Sequence, residues 1–307
     1  MNKNSKILIT GANGMVGSAV VRLLTKLGYT NLLTPSSKEL DLRSTFEVNQ
    51  YFNENKPEYV FLVAAKVGGI HANMTYRADF IFDNLMMQSN TINACHINDV
   101  KKVLFVSSGC IYPKLAESPI SETAMLTGPL EPSNEHYSIA KIAGIKMCEA
   151  YNLQHGLQYV TVIPNNIYGP KDNYHPENSH VMASLIRKFD NAIKNNTDVE
   201  IWGSGNQMRE FVYVDDVASA CVSLMNSEEI GLFNCSSEVE ITIKDLANLI
   251  SKTLGFTGKI TYNIDKPEGH MRKGFSCEKL RQTGWKAETA LVEGIKESYA
   301  WYKQNIN

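Results

Sequence analysis

Tyr137-Ser138-Ile139-Ala140-Lys141 spaces a tyrosine and a lysine four positions apart. On a helix this stacks a phenol and an ammonium on one face. Upstream, Ser107-Ser108-Gly109-Cys110-Ile111-Tyr112-Pro113 brings a hydroxyl and a thiol just after an apolar run. A free phenol has a pKa near ~10, too high for efficient acid–base work at neutral pH. A neighbouring cation favours the phenolate. Tyr137 therefore reads as a proton donor to a carbonyl oxygen, with Lys141 lowering its pKa and Ser108 donating a hydrogen bond to the same oxygen. Cys110 hints at chemistry beyond that transfer, although by itself a lone thiol after a strand reads first as a packed core residue.

A second motif says what such a carbonyl centre would work with. Gly11, Gly14 and Gly17 are spaced G-x-x-G-x-x-G between an apolar strand, Lys6–Thr10, and an amphipathic helix reaching about Leu27. Glycines there permit a tight turn and close backbone approach to a pyrophosphate, which the free N–H groups and positive dipole end of the helix then bind. The expected ligand is a nicotinamide dinucleotide, with Lys141 also holding the nicotinamide ribose. An NAD site usually carries an acid at the end of the second strand. Here that place reads Thr34-Pro35-Ser36-Ser37-Lys38, with no acid before Glu39. Asn13, Ser36, Ser37 and Lys38 could meet a 2′-phosphate, so NADP is favoured over NAD. Lys38 reads equally as a solvated lysine, and Asp41-Leu42 falls near the adenine.

The elements that must position these groups alternate. Strands are expected at 6–10, 31–34, 59–65, 102–106 and 159–164, and helices from the glycine segment 11–17 to about Leu27, near 44–55 and 78–98, and from Tyr137 to about His155. Near-continuous apolar strands such as Tyr59–Ala65 fit a sheet covered on both faces. The alternation predicts an α/β fold, a doubly wound parallel Rossmann sheet with a smaller α/β substrate-binding domain. Residues 1–164 and about 211–240 are assigned to the dinucleotide-binding domain, and about 165–210 and 241–307 to the smaller one. Asp215-Asp216 should open a helix returning to the main sheet, with Gly231–Asn234 as a late strand.

Composition sets the outer limits. The chain has 307 residues, 43 % hydrophobic and 20 % charged, with a net charge of −2. That is an ordinary globular composition without a basic field to attract nucleic acid or an anionic membrane. No signal peptide or membrane span is read in it. Six cysteines occur with no C-x-x-C pair, which argues against a zinc ribbon or redox dithiol and for reduced thiols in the cytoplasm. No His/Asp/Glu spacing resembles a metal site; His71, His136 and His175 read as loop or surface residues, and His96 and His155 as helix C-terminal ones.

Together these motifs resemble the extended short-chain dehydrogenase/reductases, over nearly the whole chain. Ala64-Ala65-Lys66-Val67-Gly68-Gly69-Ile70, Cys110-Ile111-Tyr112-Pro113-Lys114, Leu130-Glu131-Pro132, Asn178-Ser179-His180-Val181, Trp202-Gly203-Ser204-Gly205, Met208-Arg209-Glu210-Phe211 and Lys266-Pro267 carry the resemblance. They are most similar to the branch that acts on GDP-4-keto-6-deoxy-D-mannose. The resemblance implies inversion at C3 and C5 followed by NADPH reduction of the C4 ketone. It also implies roles for Cys110 as base and His180 as acid in the inversions. On the cofactor it implies Met15, Ala64, Pro164 and His180; on the sugar nucleotide it implies Asn165, Lys188, Trp202, Arg209 and Lys273. Lys188 stands where some relatives have arginine, and reads equally as a solvated helix residue. A homodimer packed through helices near 78–98 and 137–155 is implied as well.

Three departures bear on specificity. Gly109 replaces a small hydroxyl residue, with loop geometry alone expected to change. The usual arginines near the 2′-phosphate are missing. Glu268 and the segment His270–Ser276 differ from the family pattern, which leaves room for a variant sugar such as a GDP-keto-heptose. The competing readings are a C4 reductase on a related GDP-4-keto sugar without epimerisation, a 4,6-dehydratase, and a nucleotide-sensing binding protein. Intact Cys110 and His180 speak against the first, Gly109-Cys110 in place of an acidic pair against the second, and the surviving Tyr137 and Lys141 against the third.

Overall fold

A computed structural model describes residues 1–266 and 271–306. Pro267, Glu268 and His270, named above, lie outside the described residues.

The chain runs β1 (Ile7–Thr10), α1 (Met15–Lys26), β2 (Leu32–Leu33), α2 (Thr45–Asn55), β3 (Tyr59–Leu62), α3 (Ile70–Thr75), α4 (Arg77–Ile97), β4 (Lys102–Val106), α5 (Glu135–His155) and β5 (Tyr159–Pro164). It continues through β6 (Asn166–Tyr168), α6 (Val181–Asn195), β7 (Val199–Trp202), β8 (Met208–Tyr213), α7 (Val214–Met225), β9 (Gly231–Cys235), β10 (Glu240–Thr242), α8 (Ile243–Leu254), β11 (Ile260–Asn263), α9 (Glu278–Gln282) and α10 (Leu291–Asn305).

The main sheet has six parallel strands in the order β2-β1-β3-β4-β5-β9. The chain leaves β1 toward β2 on one side and returns to β3 on the other. That reversal is a switch point, and the crevice outside the carboxyl ends of β1 and β3 is where such sheets bind ligands. Helices cover both faces. Ile7 and Ile9 point to one cluster with Val16, Val20 and Val217; Leu8 points to the other with Phe52, Ile92 and Ile145. This period-two alternation follows from the strand geometry. The smaller sheets, β10-β8-β6 and β11-β7, lie beyond β5 in the chain.

Several boundaries have visible causes. Ser44 caps α2 by accepting from the Glu47 amide. β3 stops at Leu62, three residues short of the apolar run, because the Thr10 hydroxyl takes the amides of Val63 and Ala64 at 3.1 and 3.2 Å. β2 has only two residues. Among the described residues no helix is long and apolar enough to cross a membrane.

Candidate active site

β4 is buried along its length and delivers Ser107 and Ser108 to the carboxyl edge of the sheet. A single 3-10 turn, Gly109–Ile111, follows, and the Ser108 hydroxyl accepts from the Cys110 amide at 3.5 Å. α5 packs along α4 and begins at Glu135, so Tyr137 and Lys141 occupy its first two turns. The Gln88 side chain of α4 donates to the Ala140 carbonyl and fixes this segment. Lys141 is buried, and its ammonium donates to the Val106 carbonyl at 2.9 Å. Phe80 of α4 meets the Tyr137 ring edge-on at 6.3 Å.

The Ser108 hydroxyl and the Cys110 thiol both stand close enough to the Tyr137 phenol to act on its ionisation, and Cys110 stands within electrostatic reach of Lys141 and Lys273 as well. A hydroxyl, a phenol, a thiol and two ammonium groups therefore converge where β4 ends. The phenol differs from the expectation. Burial pushes its pKa well up, with the Cys110 charge adding to this and the Ser108 hydrogen bond opposing it. Lys141 does not lower it: the ammonium lies 5.9 Å from the ring centre and is anchored on Val106. Burial brings Lys141 itself down to about 8. The cofactor-free chain thus holds Tyr137 neutral, the state a proton donor needs.

His180 is the N-cap of α6. Its segment reaches the centre through the loop after β3, where the Gly69 amide donates to the Asn178 carbonyl at 2.9 Å. The imidazole is exposed to solvent yet walled by protein, and this loss of surrounding water lowers its pKa.

The glycine loop fits a dinucleotide. Gly11 has φ of +70°, and a Cβ there would lie 2.9 Å from the Ala64 backbone; a Cβ on Gly17 would lie 2.1 Å from the Gly11 carbonyl oxygen. The loop after β1 is thereby pressed against the loop after β3 at the switch point. Gly14 caps α1 without a side chain, and no acidic residue sits in the first turn. The amides and dipole of that terminus face no competing carboxylate of their own helix. Asn13 is exposed, and its carbonyl accepts from Lys171 at 3.4 Å; Met15 opens the helix, and Pro164 ends β5.

The ribose end is organised differently. Ser37 and Lys38 are exposed. Ser36 is engaged by Glu39, whose carboxylate accepts from the Ser36 amide at 2.7 Å, and this hold on Ser36 lowers the Glu39 pKa. Asp41 is paired with Arg43 at 2.8 Å and its pKa falls for that reason. Arg43 also reaches Asp83 of α4 at 3.5 Å, and Lys66 reaches the same carboxylate at 2.8 Å. Leu42 is buried. Arg43 is a cation at the ribose end that sequence reasoning passed over; its spacing from Asp41 was the available signal.

Of the residues expected at the sugar nucleotide, β8 supplies Arg209 and the loop before α9 supplies Lys273. Burial lowers both pKa values, with Cys110 pulling Lys273 the other way. Asn165 does come next to Lys273, but its amide is used within the protein: it donates to Glu210 at 3.0 Å and to the Lys273 carbonyl at 3.2 Å, and accepts from Asn166. Asn165 thus holds the Lys273 loop and leaves no donor for a sugar. Glu210, quoted above only as part of the Met208–Phe211 motif, is the hub. Its buried carboxylate accepts from Asn165, from Ser236 at 2.6 Å and from the Phe275 amide at 3.0 Å. Farther out, the exposed Trp202 ring lies between the ammonium groups of Lys188 at 5.4 Å and Lys266 at 5.6 Å. Lys188 lines a cleft of about 370 Å³ between α6 and β7.

Residues 7–235 match the family model described as the NAD dependent epimerase/dehydratase family. A putative GDP-L-fucose synthase 2 of Arabidopsis thaliana is 51 % identical over 308 residues, covering 100 % of this chain and 94 % of that protein. A GDP-L-fucose synthase of Escherichia coli (strain K12) is 46 % identical over 311 residues, covering 98 % and 97 %. Among solved structures, a GDP-mannoheptose C4 reductase from Campylobacter jejuni with NADP bound matches with a TM-score of 0.91 and 37 % identity, covering 99 % of each chain.

Proposed function

The chain belongs to the NAD dependent epimerase/dehydratase family, and from that premise we propose that it carries out the reaction named for its GDP-L-fucose synthase relatives. It inverts C3 and C5 of GDP-4-keto-6-deoxy-D-mannose and then reduces C4. The observation that carries this reading is the Cys110 thiol beside the Ser108–Tyr137 pair. A plain carbonyl reductase has no use for a thiol there.

C3 and C5 both flank the ketone, so loss of a proton from either leaves an enolate with its charge on O4. Ser108 and Tyr137, aimed together at that oxygen, stabilise the enolate and later the alkoxide. Cys110 takes the proton from carbon, and His180 returns one. In the last step Tyr137, held neutral by its burial, gives its proton to O4. Lys141 and the glycine-loop amides hold the dinucleotide, and NADPH, when bound, supplies the hydride to C4. Arg209 and Lys273 neutralise the diphosphate, and Trp202 offers a flat face to the base.

NADPH is assigned over NADH because no acid precedes Glu39 after β2, and because Lys38 and Arg43 supply positive charge at the ribose end. The bond between Glu39 and Ser36 tempers that preference. The expected partner is a second copy of the chain, through the outer sides of α4 and α5, where Phe82, Ile139 and Leu153 are exposed. The expected compartment is the cytoplasm.

A mass-resolved product assay with GDP-4-keto-6-deoxy-D-mannose, in deuterium oxide, with NADPH or NADH, tests the assignment. GDP-L-fucose labelled at C3 and C5 is expected, formed faster with NADPH. An unlabelled 4-alcohol with the original configuration would instead establish the simple C4 reductase.

A further inference from the structure

The Phe275 side chain takes no direct part in this chemistry, yet its ring is buried against the turn that carries Cys110. A Cβ on Gly109 would lie 2.5 Å from Phe275 Cζ, so only glycine leaves room for the ring. The same ring meets Tyr112 edge-on, with centroids 5.4 Å apart. It therefore touches the turn on both sides of Cys110. Phe275 is itself fixed, through its amide on Glu210 at 3.0 Å and through a bridge to Ile120. In that bridge the Ile120 amide donates to Gly274 at 2.8 Å and the Ser276 amide donates to Ile120 at 2.9 Å. Lys273 lies two residues before it, with its carbonyl held by Asn165.

We propose that Phe275 is a positioning residue for epimerisation: seated in the space left by Gly109, its ring sets where the Cys110 sulfur stands against the sugar and ties that position to the Lys273 loop. The inference rests on Cys110 being the carbon base. Gly109 and Phe275 form one interlocking pair, so the glycine does more than alter loop geometry. Proton abstraction from carbon is sensitive to such placement, since a misplacement of about 1 Å costs roughly 100-fold. Tyr137 is held from α5 instead, through Gln88 and Lys141, and depends less on this turn.

Phe275→Leu removes the ring, and Gly109→Ala drives a methyl into it. Each is expected to slow deuterium incorporation at C3 and C5, measured without NADPH, by about 10- to 100-fold. NADPH consumption with the keto sugar should fall by a smaller factor, and product should shift toward the unepimerised 4-alcohol. The double variant Gly109→Ala/Phe275→Leu, whose methyl has the vacated space, should exchange faster than either single variant. Phe275→Met, which loses the ring but keeps much of its volume, serves in place of any single variant that does not fold. Equal losses in exchange and NADPH consumption, or a double variant no better than the worse single one, would overturn the proposal. If the unsubstituted protein shows no exchange, the assigned epimerisation falls and this proposal with it. If it does exchange and the variants show no selective loss, only this proposal falls.

Discussion

The proposed reacting centre and the proposed ribose-binding end of the crevice sit on the same sheet edge and are built in opposite ways. At the centre, Tyr137, Lys141 and Cys110 are buried, and removal from water decides the protonation states of the phenol and the ammonium. At the ribose end, Glu39 and Arg43 are exposed, and Asp41, Arg43, Asp83 and Lys66 satisfy one another through ion pairs. A buried unpaired group costs far more than an exposed pair gains. Chemistry is therefore set rigidly at the centre, whereas cofactor preference is set by a balance of small, solvent-screened terms.

If that contrast holds, substitutions at the centre should cost orders of magnitude and those at the ribose end only small factors. The largest effect is expected for Tyr137→Phe, which removes the proton donor and half of the donors at O4. Steady-state NADPH oxidation should show kcat lowered by about 10²- to 10⁴-fold with the protein still folded. Cys110→Ser should follow, with C3 and C5 exchange down by about 100-fold while some reduction survives. Equal loss of both activities in that variant would contradict the division of labour.

The pH dependence sharpens the comparison further. Burial lowers Lys141 to about 8, so its ammonium is present below that pH and lost above it. Tyr137 is shifted upward and stays neutral through the same range. The kcat/KM of the free enzyme should accordingly fall above about pH 8, by roughly tenfold per unit at the limit. A profile flat to pH 10 would show that Lys141 does not act as a cation. The smallest effect belongs to Glu39→Gln, which weakens the hold on Ser36 and removes a negative charge near the 2′ position. The NADPH-over-NADH ratio of kcat/KM should rise by about two- to fivefold, the reach of an exposed charge. A change of a hundredfold would mean that the ribose end is as rigidly built as the centre.

The same contrast explains what the sequence revealed. The convergence of Ser108, Tyr137 and Lys141 was legible because helical spacing alone puts Tyr137 over Lys141, and because a strand must deliver Ser108 to the carboxyl edge where the glycine loop also lies. The doubly wound sheet was legible from the alternation of its elements. The lowering of the Tyr137 pKa by Lys141 was misjudged because spacing fixes which face a lysine occupies, not that its ammonium turns to the Val106 carbonyl. Asn165 was expected near the sugar, but its saturation by Glu210, Asn166 and the Lys273 carbonyl depends on two strands and a loop that meet only in the folded chain. The roles of Glu210 and Phe275 escaped notice for a related reason: their partners, Asn165 and Ser236 for the one and Gly109 and Tyr112 for the other, are distant in the chain. Arg43 had a local signal in Asp41, but its second partner, Asp83, lies on α4.

The most direct test of the shared oxygen site is Ser108→Ala. Deuterium incorporation at C3 and C5 without NADPH, and single-turnover reduction with NADPH, are measured on the same preparation. Because the hydroxyl serves both the enolate and the alkoxide at O4, the two rates should fall together, by about 10- to 100-fold each. Loss of one rate with the other preserved would contradict a single oxygen site for both reactions.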